Sequence, residues 1–453
     1  LVFSNKGEFG FFKQGRVWFF QTGAGLVFSN KGGFGFFKQG AGLVFSNRGG
    51  FGTRPYESSH TLTNGYSMTP RRKTFLVFGS PCIDEADIRE VVATMESGWL
   101  GTGPKTAQFE ADIKQYKHAN YSAAVNSCTA ALHLSILAAG IRPGDEVITT
   151  PMTFCATVNA IIHAKATPVL ADVDPVTMNI SPAAIEKKIT AKTRAILPVH
   201  FAGRACDMDA IMATAGKHDL KVIEDCAHAI ETEYKGRHVG SIGDFGCLSF
   251  YVTKNIITGE GGMVLAKKEE DIAQIKILAL HGMSKDAWKR FSDEGFKHYQ
   301  VVEAGFKYNM MDLQAAIGIQ QLKRIEPYWL RRKEIWDRYN EAFADLPIGL
   351  PAAPEPDTRH AFHLYTLMID EKKAGISRDA FLNAMTAQNI GVGVHYLSLP
   401  EHPFYQKTYG WKPQEYPHAM RIGQQTVSLP LSAKLTDEDV TDVIGAVRTA
   451  LRH

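Results

Sequence analysis

The stretch Ser249-Phe250-Tyr251-Val252-Thr253-Lys254-Asn255-Ile256-Ile257-Thr258-Gly259-Glu260-Gly261-Gly262 decides how this chain is read. A lone lysine follows a short apolar run. A glycine-rich turn comes next, and Met263-Val264-Leu265-Ala266 makes a second apolar run. The two runs read as strands around a turn. A lysine amine is a weak nucleophile at neutral pH unless its surroundings tune it; held in a site, it can condense with a carbonyl. Taken alone, the stretch equally describes a surface lysine beside a hairpin, so the other segments have to decide.

Upstream lies Lys221-Val222-Ile223-Glu224-Asp225-Cys226-Ala227-His228-Ala229. An apolar run ending in acids reads as a buried strand whose tip reaches a cleft. Pyridoxal phosphate (PLP) needs a carboxylate against its ring nitrogen to act as an electron sink. Asp225 is the candidate, with His228 close enough to line the same site; the ordinary alternative is a strand-end Asp capping a helix. Further upstream, Ala124-Val125-Asn126-Ser127-Cys128-Thr129-Ala130-Ala131-Leu132 reads as strand, polar turn and apolar helix. Free N–H groups at such a helix start bind phosphate, although a plain Ser/Thr cap has the same look. In Thr150-Pro151-Met152-Thr153-Phe154, the Phe154 ring could stack on a flat heterocycle.

From 123 to 265 short apolar runs at 123–125, 146–149, 167–171, 195–198, 221–224 and 247–251 alternate with helical stretches such as 207–217. This pattern predicts an α/β fold with a mostly parallel sheet covered on both faces and its chemistry at the carboxyl ends of the strands. Ile88, Val91, Val92 and Met95 recur at helical spacing over 84–97. Long helices are expected over 312–343. A connector with four prolines follows at 346–358. Strands at 363–369 and 391–396 and helices at 378–388 and 437–451 then read as a smaller α+β domain. The division is therefore 1–67, a large domain at 68–345 and a small one at 346–453.

Phosphate turn, aromatic, acid and lysine follow one another in the order of a fold-type I PLP enzyme. With Gly98-Trp99-Leu100-Gly101-Thr102-Gly103-Pro104, Pro198-Val199-His200-Phe201-Ala202-Gly203, Tyr234-Lys235-Gly236-Arg237, Gly243-Asp244-Phe245-Gly246 and Gly305-Phe306-Lys307-Tyr308-Asn309-Met310-Met311-Asp312, the chain resembles the DegT/DnrJ/StrS family of sugar aminotransferases. The likeness runs from about Phe75 to the C-terminus. It implies that Lys254 carries PLP through its amine and shuttles the proton. Asp225 would pair with the ring nitrogen, Phe154 would stack on the ring and His228 would lie near the ring hydroxyl. Cys128, Thr129 and Ser249 would hold the phosphate. Asn309 would reach the phosphate of a partner subunit, making the enzyme a homodimer with shared sites. Trp99, Thr102 and, more weakly, His395 are implied on the substrate side. The donor implied is L-glutamate. The acceptor implied is a nucleotide-linked keto sugar, read as a UDP-4-keto sugar from Lys307-Tyr308-Asn309 and His281-Gly282, for surface glycan or lipid A synthesis. Members acting on carbon 3 share these motifs. A dehydratase branch carries histidine in place of the lysine, and Lys254 speaks against it. A non-catalytic PLP-binding regulator would be expected to lack the acid or the lysine.

The chain has 453 residues, 45% of them hydrophobic, and a net charge of +3 from 50 basic and 47 acidic residues. That length suits a large core with a smaller domain. No basic stripe points to nucleic acid, and no apolar run approaches the roughly 20 residues that cross a bilayer. Cys82, Cys128, Cys155, Cys206, Cys226 and Cys247 show no metal-ligand spacing and read as reduced thiols of a cytoplasmic enzyme. His360 and His363 lack a second ligand pair, so no metal is assigned. The N-terminal segment differs. Leu1 to Gly15 recurs as Leu26 to Gly40 with Glu8 replaced by Gly33, and a shorter copy runs from Leu43 to Gly52. The copies show no strand or helix period and are too short to stack as a solenoid. The first methionine is Met68, so 1–67 is expected to be upstream sequence carried into the frame. Unchanged activity and solubility in a chain started at Met68 is the test.

Overall fold

The computed structural model describes residues 72–284 and 299–451 in full and, nearer the N-terminus, the backbone of five strands. The chain divides into two compact units, Leu1–Ser67 and Met68–His453. In the first, β1 (Gly10–Gln14), β2 (Val17–Thr22), β3 (Gly25–Asn30), β4 (Phe34–Gln39) and β5 (Gly42–Asn47) pair in sequence order, each antiparallel to the next. The expectation of no strand in the repeats is corrected here. β3 and β5 are the same six residues, GLVFSN. Phe and Val favour extended chain even without strict alternation.

The second unit is built on a seven-stranded sheet. Its strands are β6 (Tyr121–Val125), β7 (Glu146–Thr149), β8 (Thr167–Leu170), β9 (Thr193–Leu197) and β10 (Lys221–Asp225), followed by β13 (Phe245–Ser249) and β14 (Gly262–Ala266). A small hairpin, β11 (Glu233–Tyr234) and β12 (Arg237–His238), intervenes. The spatial order is β6-β14-β13-β10-β9-β7-β8. Only β14 runs against its neighbours, antiparallel to β13 and β6; the other pairings are parallel. The carboxyl ends of β6, β10 and β13 thus meet at one edge, which is also where β14 begins. These strands match the expected runs to within two residues.

Helices cover both faces, because strands such as β9 and β10 bury consecutive apolar residues and leave no face for water. On one side Phe109 and Ile113 of α2 (Pro104–Tyr116) pack with Met208, Ile211 and Phe250; on the other, Leu132, Leu134 and Ile136 of α3 (Cys128–Ala138) pack with Ile161 of α4 (Cys155–His163). A short α5 (Pro182–Glu186), then α6 (Met208–His218) and α7 (Glu269–Ala279), complete these layers. Each such fully buried side chain stabilises by about 1.5–3 kcal/mol.

Two elements depart from expectation. α1 (Glu85–Glu96) forms as predicted, capped by Asp84, but Ile88, Val92 and Met95 face outward while Asp87 and Thr94 are buried. Asp87 takes both its oxygens to Arg324 and accepts from Gln321, so ionic pairing decides the inner face. The strand expected at 391–396 is an extended segment joined by an isolated Gly393–Ser428 bridge to the pair β16 (Tyr365–Met368) and β17 (Thr426–Leu429). The long helices appear as α8 (Asp312–Lys323) and α9 (Ile325–Phe343). Between α9 and β16, β15 (Thr358–Arg359) pairs with β11. Ile335, Trp336, Tyr339 and Phe343 of α9 pack with Phe381, Val427, Val443 and Val447 in the C-terminal layer. Among the described residues no helix is long and apolar enough to cross a membrane.

Candidate active site

Lys254 rises from the loop joining β13 to β14. Phe250 N donates to Gly261 O at 2.9 Å and Thr258 N to Phe250 O at 2.8 Å, so the loop closes on itself. Phe250, Ile256 and Ile257 are buried and hold its feet. Burial pushes the Lys254 amine down to about 8, against the opposing pull of Cys128 and Asp225. A lysine so tuned is a better nucleophile at neutral pH.

Asp225 ends β10 and is buried. Its carboxylate accepts from Thr157 Oγ1 at 2.8 Å and from Ala227 N at 3.1 Å, and Thr157 is braced by Thr153 Oγ1 at 2.7 Å. Burial nevertheless raises its pKa. A cationic N–H against this carboxylate is the partner that offsets such a penalty. Behind it, Glu224 accepts from the N–H groups of Gly240, Ile242 and Gly243 and pairs with His200, which holds the strand tip rigid. His200, Glu224 and Cys226 lie close enough to bind an ion, yet Glu224 already spends both oxygens on these bonds.

Ser127 caps α3, its hydroxyl accepting from Ala130 N at 3.1 Å. The Cys128 and Thr129 amides of the first turn therefore project from a helix start, the geometry that suits a phosphate. His228 Nδ1 accepts from Ala202 N, so its Nε2 carries the proton and donates to Tyr396 Oη at 3.0 Å. Burial holds this histidine well below its usual pKa, and the Lys254 charge adds to the effect.

One cavity of about 370 Å³ gathers Cys128, Thr129, Phe154, Asp225, His228, Ser249 and Lys254. Phe154, at the start of α4, is 58% exposed, and its ring centroid lies 6.0 Å from that of Tyr396. Thr157, Tyr251, Glu260 and Tyr396 also border the space. The sequence reading assigned none of these four a role. Thr157 carried a usable signal, since it stands one helical turn from Thr153; Tyr396 comes from a distant segment and had none. Four expected residues do not line this space. Trp99 Nε1 donates to Thr102 O, and Thr102 Oγ1 accepts from Asn309 Nδ2 at 2.7 Å while donating to Met310 O at 2.5 Å. Asn309 Oδ1 is buried with no partner among the described residues. His395 faces a second, smaller chamber, stacked on Phe78 and bonded to Ser428 Oγ.

A sheet of this topology, with a lysine beside a buried acid and an open helix start at its carboxyl edge, defines a fold-type I PLP-dependent enzyme. The donor set fits the cofactor: amine for carbonyl, carboxylate for ring nitrogen, helix amides for phosphate. The chain belongs to the DegT/DnrJ/EryC1/StrS aminotransferase family, whose profile matches residues 81–448. It is 50% identical over 386 residues to the spore coat polysaccharide biosynthesis protein SpsC of Bacillus subtilis (strain 168), covering 85% of this chain and 99% of that one. Among solved structures it is similar to Spr1654 of Streptococcus pneumoniae in its PLP form, with TM-score 0.78 and 34% identity over 83% of this chain and 98% of that one. It is also similar to DesI in the presence of its TDP-sugar product, with TM-score 0.75 and 29% identity over 84% and 95%.

Proposed function

We propose that this aminotransferase moves an amino group from L-glutamate to a nucleotide-linked keto sugar, read as a UDP-4-keto sugar, in surface polysaccharide synthesis. The observation that carries the reading is the meeting of Lys254, Asp225 and the α3 helix start around one cavity. The similarity to SpsC supports the polysaccharide context, and that to DesI supports a nucleotide-linked sugar.

PLP, when bound, supplies the electron sink that makes the hydrogen on the donor's amine-bearing carbon acidic. Asp225 keeps the ring nitrogen protonated. The Cys128 and Thr129 amides and the Ser249 hydroxyl hold the phosphate, and Phe154 covers the ring. Lys254 Nζ, when free, would be the base that takes the proton from the donor's amine-bearing carbon and holds it for return on the far side of the amine nitrogen. General acid–base catalysis of this kind contributes roughly 100- to 10,000-fold. His228, neutral and hydrogen-bonded to Tyr396, acts as a donor rather than a charge. We propose the cytoplasm as its compartment; six cysteines without a disulfide among the described residues support that reading.

The working form is proposed to be a homodimer. Ile88, Val92 and Met95 of α1, with Trp99, Leu100 and Met311, expose apolar surface that a second copy would cover. Trp99, Thr102 and Asn309 do not line their own chain's cavity, which fits a role in the partner's.

The test is the visible spectrum of the protein with added PLP, before and after L-glutamate. A yellow band that L-glutamate bleaches, and that is absent in Lys254→Ala, supports the reading. Normal amine transfer by Lys254→Ala would refute the role of the lysine. A band indifferent to glutamate would refute the donor.

A further inference from the structure

The residue after the lysine is wholly committed. Asn255 Nδ2 donates to Glu231 Oε2 at 2.8 Å and to Ala361 O at 3.1 Å. With both amide hydrogens used, its Oδ1 can only accept, and it does so from His363 Nδ1 at 2.8 Å. Glu231 is fully buried, and its other oxygen pairs with Arg332 of α9, which is 2% exposed. His363 therefore carries its proton on Nδ1, and its ring centroid lies 4.4 Å from that of His228. His228 is locked in the opposite tautomer by Ala202 N and Tyr396. Two neutral imidazoles thus touch beside the lysine, each fixed by a different element.

We propose that Asn255 is a positioning residue: it ties the lysine-bearing loop to α9 through the Glu231–Arg332 pair and holds His363, whose ring packs against that of His228, so that the Lys254 amine keeps one position relative to His228. A neutral amide is the side chain that can satisfy the second oxygen of Glu231 without placing another charge beside Lys254. The amine is faced by Asp225 and Cys128 in the cavity and by His228, His363 and His395 around it. It works in two states, joined to the cofactor and released. In the released state only the loop determines where it stands. On the cavity side the loop is tied by Gln314 Nε2, which donates to Glu260 O at 2.7 Å, six residues from the lysine; the tie next to the lysine is the one made by Asn255.

The inference rests on Lys254 being the residue that joins PLP. The experiment is a pH titration of the visible band of the full-length, PLP-loaded protein, together with the rate at which saturating L-glutamate bleaches it and the thermal midpoint. Asn255→Ala is expected to shift the pH midpoint of the band by about one unit. The same variant should bleach up to about 100-fold more slowly, the scale of an ångström of misplacement. Asn255→Asp sets two carboxylates against each other and should raise the pH midpoint. Adding Glu231→Gln restores a donor opposite the new acid and should recover most of the lost bleaching rate. A lowered thermal midpoint with an unmoved pH midpoint would reduce Asn255 to a structural residue and overturn the inference. So would failure of the double variant to recover. A wild-type chain forming no band with PLP would instead overturn the role of Lys254, and the inference with it.

Discussion

Gly262→Ala tests the phosphate end of the site without touching a group that does chemistry. Gly262 opens β14 and lies under the start of α3. A Cβ there would stand 2.4 Å from the carbonyl carbon and oxygen of Ser127 and 2.7 Å from Cys128 N. Ordinary contact begins near 3.4 Å, so about 1 Å of movement is forced, and every atom in the way is backbone. β14 is hydrogen-bonded on both sides, to β13 and β6, and cannot retreat. The helix start must move instead, carrying the Cys128 and Thr129 amides with it. Overpacking costs about 1–3 kcal/mol of stability, and an ångström of displacement at a binding group costs up to about 100-fold. PLP titrated into the apoprotein should therefore bind roughly 10- to 100-fold more weakly. Pyridoxal, which lacks the phosphate, is the control, and its affinity should change far less. Equal losses for the two ligands, or an unchanged affinity for PLP, would refute the assignment of the α3 start to the phosphate.

Other expectations can be checked directly. Because burial lowers the Lys254 amine to about 8, the rate of band formation on mixing with PLP should climb with pH up to about 8 and level above it. At pH 7 roughly one amine in ten is then already neutral; a rate still rising steeply at pH 9 would contradict this. Arg332→Leu leaves Glu231 buried without its cation and should cost about 3–5 kcal/mol in denaturant unfolding, most of it regained when Glu231→Leu is added. Gly216 stands in α6 with open space around its Cα, so Gly216→Ala should stabilise by about 0.5–1 kcal/mol in the same assay.

Much of the sheet was legible because its strands are short apolar runs separated by helices, and Asp225 and Lys254 announce themselves as polar residues at the ends of such runs. The helix at 85–96 was legible in kind but not in orientation. An apolar stripe ordinarily marks the inner face, and nothing local reveals that Asp87 is drawn inward by Arg324, more than two hundred residues away. Tyr396 and His363 escaped for the same reason: their partner, His228, is remote in sequence and joins them only in the folded chain. The repeats between Gly10 and Asn47 were misjudged because period alone was weighed, whereas near-identical copies rich in Phe and Val pair without it.

The reversal of β14 has a mechanical consequence. Both feet of the Lys254 loop stand on adjacent strands, about 4.8 Å apart. A long connection between distant strands would let its tip wander with every small motion of the sheet. Here the base is as stiff as one rung of a ladder, and the number of residues between Ser249 and Gly262 bounds how far the amine can stand above the sheet. One residue added or removed there would shift the amine against the sheet edge where Asp225 and the α3 start stand.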